Sequence, residues 1–401
     1  MLELLLALAF GILLGVICGI MPGLHPNNTI PIIFGLSFLF DPMQAAVVLI
    51  AAGVSNSFVN FIPSIFVGAP DAGAELSALP GHRMLLAGRG FEAVRLTVLG
   101  GLGAVLLSVA LLPAFSVVFP LLYRLARPVL HWLLLVVVFY MVAGEEGLKG
   151  KAIALYVIAV SGALGYFLLD VVSVNGALFP LLSGMFGLPM LLLAVKDKVR
   201  LPEGMSFEHE KIGKKDLLSS VGVGSIAGVL AGLLPGIGSS QATVLAQEAV
   251  GRGSDRKFLI AMGGVAVSDV VYSIIALYIL GNARSGIAVA VGNLVSVGLG
   301  QVLLFLSVVL AAAGIGACMT LKMSRLAVAF LRRVDYAKLC MLTFAGVLAM
   351  TAWFSGPAGV AISLVALSIG LIPNIAGVKR SHCMGCLLVP TIMFFAQLSL
   401  G

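Results

Sequence analysis

The sequence predicts an all-α polytopic membrane protein, an inverted-topology repeat with about ten transmembrane helices and two re-entrant helical hairpins. Three observations lead to this fold class. The chain of 401 residues is 60% hydrophobic and only 10% charged, whereas soluble domains carry roughly 25% charged residues. One glycine-rich segment occurs twice, and most Lys and Arg residues lie in short segments between apolar stretches.

The repeated unit is a broken helix. The segment GILLGVICGIMPGL at 11–24 returns 213 residues later as GSIAGVLAGLLPGI at 224–237. The glycines and the Pro-Gly pair keep one register: Gly11 with Gly224, Gly15 with Gly228, Gly19 with Gly232, and Pro22-Gly23 with Pro235-Gly236. Glycine ladders alone also serve close helix packing. The shared Pro-Gly break, however, is typical of the discontinuous helices at a transporter's binding site.

Five apolar segments follow each broken helix, and each is long enough to cross about 30 Å of hydrocarbon. In the first half they fall near 43–68, 96–120, 128–144, 152–170 and 177–195, and in the second half near 258–280, 286–316, 339–354, 358–376 and 385–400. The chain therefore divides into a first repeat at 1–195, a linker at 196–215 and a second repeat at 216–401.

The two hairpins, at 1–40 and 216–250, each have a short second arm. As helices, the arms at 29–40 and 241–250 would reach only about 15–18 Å, or half a membrane. We therefore predict that both hairpins dip to mid-depth and return, which is tolerated where the exposed backbone is buried in protein or faces water.

The loop charges predict how the hairpins are oriented. Nine basic residues flank the second hairpin, which places both its ends in the cytoplasm: Lys196, Lys198, Arg200, Lys211, Lys214, Lys215, Arg252, Arg256 and Lys257. Glu3 and Asp41 flank the first hairpin, so its ends are expected outside. This scheme predicts a multi-pass cell-membrane protein with both termini extracytoplasmic, and only Arg124, Arg127 and Arg284 fall on the wrong side.

Composition and motifs argue against other classes. The net charge of +7 is explained by orientation and by anionic lipid head groups, so nucleic acid is not an expected partner. The sequence contains no nucleophile elbow, phosphate loop or HExxH motif, so neither an enzyme nor a cofactor is expected. His382, Cys383 and Cys386 form HCMGC, which resembles a metal motif but lacks a fourth ligand nearby; a span end is the preferred interpretation.

The hairpin tips are the predicted anion site. A helix N-terminus presents unpaired N–H groups and about half a positive charge. The polar residues next to Pro22-Gly23 and Pro235-Gly236 can add hydrogen bonds: Asn27, Asn28 and Thr29 at one tip, and Ser239, Ser240, Gln241 and Thr243 at the other. His25 can neutralise an anion or relay a proton, or it can simply bind loop backbone.

Polar residues inside the spans are further candidates. Asp269 is expected near the middle of its span, where a carboxylate suggests a site for a coupling ion or a proton. The matching span of the first half offers Ser55, Asn56, Ser57 and Asn60, either for a substrate pathway or for bonds between helices. Arg83 follows that span and can attract an anion, or belong to an ordinary solvated loop.

The segments GIMPGLHPNNT and GLLPGIGSSQAT, together with GAPDAGAELSALPGHRMLLAGRGFEAVRL, resemble the motifs of the tripartite tricarboxylate transporter large membrane subunit (TctA) family, in particular its archaeal branch. The resemblance covers most of the chain. It implies a secondary transporter of organic anions that works with a small membrane subunit and an extracytoplasmic binding protein. The Pro-Gly motifs are also similar, more distantly, to those of the polyprenyl phosphate translocase family.

The leading functional hypothesis is therefore alternating-access transport of an organic carboxylate held between two opposed hairpin tips. The alternative is a flippase for a polyprenyl phosphate lipid carrier, whose phosphate would use the same helix ends. A membrane enzyme or assembly scaffold is a third class. The partners expected are an anionic small molecule or a lipid phosphate, membrane lipids and the two additional subunits. The sequence does not decide whether the protein forms a homo-oligomer.

Overall fold

The computed structural model describes residues 2–21, 40–67, 78–126, 129–172, 177–196, 207, 210–233, 239–250, 254–281, 285–331 and 334–400. These residues form helices joined by short turns, without a β-strand in the described ranges. The first half contains α1 Leu2–Ile20, α2 Pro42–Val59, α3 Phe61–Phe66, α4 Ala78–Leu86, α5 Gly90–Ala110, α6 Leu112–Ala126, α7 Leu130–Ala143, α8 Gly147–Tyr166 and α9 Leu178–Lys196. The second half contains α10 Lys214–Leu233, α11 Ser239–Val250, α12 Asp255–Leu280, α13 Gly286–Leu294, α14 Leu299–Leu331, α15 Tyr336–Ala376 and α16 Gly385–Leu400.

The helix lengths confirm a polytopic membrane protein. Within the described ranges, 8 helical stretches are long and apolar enough to cross a membrane: Leu2–Ile20, Pro42–Phe66, Gly90–Ala110, Gly147–Leu169, Leu178–Lys196, Asp255–Leu280, Leu299–Leu331 and Tyr336–Ala376. Two shorter apolar helices occur at Leu112–Leu121 and His131–Ala143. The orientation of the termini stays a prediction.

Several boundaries differ from those expected. The span near 286–316 is two helices, α13 and α14, which are separated at 295–298, and α14 continues to Leu331. Lys322 and Arg325 end the apolar stretch of α14 but not the helix, because Lys and Arg are good helix formers. The spans near 339–354 and 358–376 are the two arms of α15, which bends at Gly356 (φ 65°) directly before Pro357.

The two halves contain the same pair of helices. α1 packs along α2, where Gly11 faces the Val48 carbonyl and Gly19 faces Val59. α10 packs along α12 in the same way: Gly224 faces the Ala261 carbonyl and Gly232 faces Tyr272, each residue 213 positions after its counterpart. In both pairs the residue numbers rise together, so the paired helices are parallel.

The first turns of these helices also contain contacts that are repeated 213 residues later. Gln44 Nε2 donates to Glu3 Oε2 at 3.2 Å. The pair 213 positions later, Lys257 and Asp216, is joined by an ion pair of 2.6 Å. Equivalent contacts at a constant offset are what an internal duplication would produce; the inversion of one half relative to the other stays a prediction.

The halves are packed into each other through backbone contacts at glycine. α5 of the first half crosses α12 of the second half, with Gly100 against the Ile260 carbonyl and Gly263 against the Thr97 carbonyl. The reciprocal pair, α14 with α2, packs beside it. A second such pair joins α8 to α16 and α9 to α15.

Burial identifies the centre of this assembly. In the most apolar 18 residues of Pro42–Phe66 every residue is buried, and in those of Asp255–Leu280 94% are buried, whereas in those of Gly147–Leu169 only 39% are. α2 and α12 therefore form the centre of the described protein. The outer helices expose large apolar side chains such as Trp132, Phe139 and Leu148, which suit contact with lipid.

The glycine contacts give a test of this packing. Replacing Gly100 with Ala should destabilise the protein by about 1–3 kcal/mol, because a methyl group would collide with the Ile260 carbonyl. The control Gly314→Ala adds a methyl group in open space on α14 and should be neutral or stabilise by up to about 1 kcal/mol. Thermal denaturation in detergent measures both; equal midpoints would contradict the contact.

Candidate functional site

The end of α10 and the start of α11 lie at the same level, near the middle of α12. α10 is parallel to α12 and reaches Tyr272 at Gly232. The first residue of α11, Ser239, donates its hydroxyl hydrogen to Asp269 Oδ2 at 2.6 Å. Since α12 begins at Asp255, shortly after α11 ends at Val250, α11 runs back from Asp269 towards the start of α12.

Asp269 is the centre of a small polar cluster at this level. In addition to the Ser239 hydroxyl, it accepts a hydrogen bond from Ser273 Oγ at 3.4 Å, one turn further along α12. Thr243 Oγ1 donates to the Ser239 carbonyl at 2.7 Å. The structure thus joins residues that the sequence singled out in two separate groups: Ser239 and Thr243 at the second hairpin tip, and Asp269 in a span.

Aromatic side chains pack beside this cluster. Tyr272 is fully buried, and its hydroxyl shares a hydrogen bond of 2.9 Å with Ser225 of α10. Phe115 of α6 packs against the Tyr272 ring at 4.9 Å between centroids. The sequence analysis named Tyr272 only as a neighbour of Asp269; the Ser225 partner depends on the register of α10 against α12 and had no local signal.

The residues of α2 that correspond to Asp269 and its neighbours in the repeat include buried polar side chains. Asn56, which is 213 positions before Asp269, is 1% exposed, and Ser55 and Asn60 are also buried. In the part of the chain that the structure describes, Ser55 Oγ, Asn56 Nδ2 and Asn60 Oδ1 have no hydrogen-bond partner. Ser57, by contrast, donates to the Gly53 carbonyl at 2.9 Å.

The polar residues around Asn56 on α2 and those around Asp269 on α12 lie near the same contact between the two helices. α2 and α12 meet at Gly53, where a methyl group would lie 3.9 Å from Val270 Cγ1. Asn56 is one turn from Gly53, and Asp269 is next to Val270. An amide donor and a carboxylate therefore lie within about one helical turn, 5.4 Å, of the same helix contact.

Arg83 is a residue of α4, and its side chain contacts the start of α12. Its guanidinium pairs with Asp255 at 2.6 Å, and these two residues with Ser254 and Arg256 line a cleft of about 510 Å³. Asp255 is 14 residues before Asp269, or about 21 Å along the helix. Arg83 is thus remote from the Asp269 cluster, and the Asp255 carboxylate partly neutralises its charge.

A buried carboxylate links the two halves near this cleft. Glu92 of α5 is 1% exposed and pairs with Arg89 at 2.7 Å and with Arg256 of α12 at 3.0 Å. Its hydrogen bond to Arg89 raises the pKa of that guanidinium further above its usual value. The sequence analysis did not single out this link, because it requires α5 to cross α12.

The first three residues of the HCMGC segment belong to the tight turn Arg380–Met384, and its last two, Gly385 and Cys386, begin α16. His382 Nε2 lies 2.8 Å from Glu145 Oε1, which ties this turn to the segment between α7 and α8. Burial raises the pKa of Cys383 to about 12, which favours the protonated thiol. The described residues contain no group of three potential metal ligands.

The remaining predicted site residues cannot be placed. Most lie outside the described residues: Pro22, Gly23, His25, Asn27, Asn28, Thr29, Pro235 and Gly236. Ser240 and Gln241 belong to the first turn of α11, but their side chains are not described. The first hairpin tip and the two Pro-Gly breaks stay predictions.

Comparison with family models identifies one family. A family model described as "Tripartite tricarboxylate transporter TctA family" matches residues 5–385. An uncharacterized protein of Methanocaldococcus jannaschii is 27% identical over 402 aligned residues, which cover 98% of this chain and 99% of the relative. No solved structure matches the chain.

The Asn56 Nδ2 atom has no hydrogen-bond partner among the described residues, and this yields a prediction about stability. Asn56→Leu should leave the thermal midpoint unchanged or raise it, because a buried amide without a partner costs about 1–3 kcal/mol. The control Thr320→Val removes a hydroxyl that donates to the Gly316 carbonyl and should cost about 1 kcal/mol. A larger loss for Asn56→Leu than for Thr320→Val would show that Asn56 has a structural partner.

Proposed function

The chain belongs to the tripartite tricarboxylate transporter TctA family, and from this premise we propose that it is a secondary transporter whose substrate is an organic carboxylate. The family is a transporter subunit, so the chain is a membrane transport component and not an enzyme. The finer proposal is that one anionic group binds between the α11 tip and its counterpart in the first half.

The observation that carries this proposal is the position of the α11 N-terminus. It lies beside Asp269, near the middle of a helix that is 26 residues, or about 39 Å, long and almost fully buried. An N-terminus at this depth offers backbone N–H groups and a partial positive charge where water is scarce. Such a position suits an anion far better than an uncharged solute.

The first repeat would supply the other side of the site. Asn56 Nδ2 is a buried donor without a partner among the described residues, at the level where α2 meets α12. A bound carboxylate would satisfy this donor and would accept the Ser239 hydroxyl hydrogen in place of Asp269. We assign the remaining contacts to Asn27, Asn28, Thr29, Ser240, Gln241 and Thr243.

The arrangement also supports re-entrant hairpins and alternating access. α10 ends and α11 begins at mid-level of α12, so neither helix runs along its full length. The reciprocal glycine contacts make each half pack on the other, and a tilt of one half against the other would expose the site to opposite sides in turn. We propose that the first hairpin mirrors this arrangement from the other face of the membrane.

Other residues receive secondary roles in this proposal. Asp269 and His25 are the coupling groups. Arg83, at the cleft beside Asp255, would attract anions to the cytoplasmic entrance. TctA proteins act with other components of a tripartite system, so we propose that this chain also works with a small membrane subunit and an extracytoplasmic binding protein.

A ligand screen on the purified full-length protein tests the proposed function. Citrate and succinate should raise the thermal midpoint, and farnesyl phosphate, a short polyprenyl phosphate, should not; a ligand at 100 times its Kd stabilises the folded state by about 2.7 kcal/mol. Ser239→Ala should weaken carboxylate binding about 10- to 100-fold, because it removes a hydroxyl donor from the site.

The control for this variant is Ser307→Ala on α14, whose hydroxyl donates to Leu303 within its own exposed helix surface. It should bind like the wild type. Stabilisation by farnesyl phosphate alone would support a lipid flippase instead. No stabilisation by any of the three ligands would refute an anion site.

A further inference from the structure

The Asp269 carboxylate occupies the position that a substrate anion would take. Its hydrogen bond from Ser239 is 2.6 Å long, within the range of about 2.5–2.7 Å that is usual for a hydroxyl bound to an ionised carboxylate. Ser239 is also the first residue of a helix of 12 residues, whose N-terminus favours negative charge. The protein thus carries its own anion at this tip.

The first repeat differs at the equivalent position. Asn56 replaces the carboxylate with a neutral amide, and its buried Nδ2 has no partner among the described residues. Of the two equivalent positions, one carries a carboxylate and the other a neutral amide, so a substrate carboxylate beside Asp269 would be the second anion at the α11 tip. Two ionised carboxylates at one tip repel each other, and proton uptake by one of them relieves the repulsion.

From this asymmetry, and on the basis of the proposed function, we infer that Asp269 is a tethered competitor and that each substrate anion binds together with one proton. The proton adds to a carboxylate oxygen of Asp269. The neutral carboxyl group then releases the Ser239 hydroxyl and the α11 N-terminus to the substrate carboxylate. Transport of the pair is proton–anion symport.

The charged residues of α12 other than Asp269 lie near its start, about 18–21 Å along the helix from Asp269. There Glu92 pairs with Arg256, Asp216 with Lys257, and Arg83 with Asp255. α2 and α13 carry no charged residue. The charged or titratable residues of the packed helices are His82, Arg83, Glu92, Arg95, Tyr123, Arg124, Lys214, Lys215, Asp216, Glu248, Cys318, Lys322 and Arg325, and α12 itself adds Asp255, Arg256, Lys257, Tyr272 and Tyr278.

If proton binding and anion binding are coupled, the affinity of the wild-type protein for succinate must depend on pH. If one proton enters with each anion, the Kd for succinate should rise tenfold per pH unit wherever Asp269 is ionised in the free protein. Succinate itself stays largely ionised above about pH 6.5, so its own titration contributes little there. Calorimetry in two buffers of different ionisation enthalpy should report one proton taken up per succinate bound.

Asp269→Asn imitates the protonated carboxyl group and is the decisive variant. It should bind succinate with a Kd that is independent of pH and close to the low-pH value of the wild type. In proteoliposomes, a pH gradient should drive accumulation of succinate by the wild type but not by Asp269→Asn. The control Asp216→Asn, in an exposed ion pair far from the site, should keep the full pH dependence.

The possible outcomes separate this inference from the proposed function. Succinate binding with a pH-independent Kd, or with a dependence on sodium at constant pH, would overturn proton coupling and leave the anion site intact. A pH dependence retained in Asp269→Asn would overturn the role of Asp269. If the wild type binds neither citrate nor succinate between about pH 5 and 8, the proposed function fails and this inference fails with it.

Discussion

The described structure depends on one constraint: a carboxylate is kept at the N-terminus of a short helix in the interior of a tightly packed helical bundle. Asp269 lies near the middle of the most central helix of the second half, and α11 begins beside it. A charge in such surroundings is costly unless donors are fixed around it. The Ser239 and Ser273 hydroxyls and the N-terminus of α11 supply that stabilisation.

The glycine contacts hold these groups in register. Gly228 and Gly232 of α10 lie directly against Ser268 and Tyr272 of α12, so α10 cannot slide without a collision. The crossing of α5 over α12 at Gly100 and Gly263 fixes the other side. Close backbone contact at these glycines therefore fixes how the central helices are aligned, and with it the position of Asp269.

Much of this arrangement was predictable from the sequence, because it depends on repeated local patterns. The glycine ladder, the Pro-Gly break and the lone carboxylate in an apolar segment indicated the repeated helix pair and Asp269. The contacts of Tyr272 with Ser225, of Glu92 with Arg256 and of His382 with Glu145 were not predictable. Each joins residues far apart in the chain, and a single sequence does not determine how distant helices cross. The division of α13 from α14 was also missed, since hydropathy measures apolar length and not helix ends.

The most direct test is a structure of the purified protein with bromosuccinate, in which anomalous scattering locates the bromine atom. Binding at the proposed site places the bromine within about 6 Å of the Ser239 hydroxyl, between α2 and α12, a reach set by the length of a hydrogen bond and the size of the ligand. A bromine atom in the cleft beside Arg83 and Asp255, or between helices at the lipid surface, would contradict an anion site at the α11 tip.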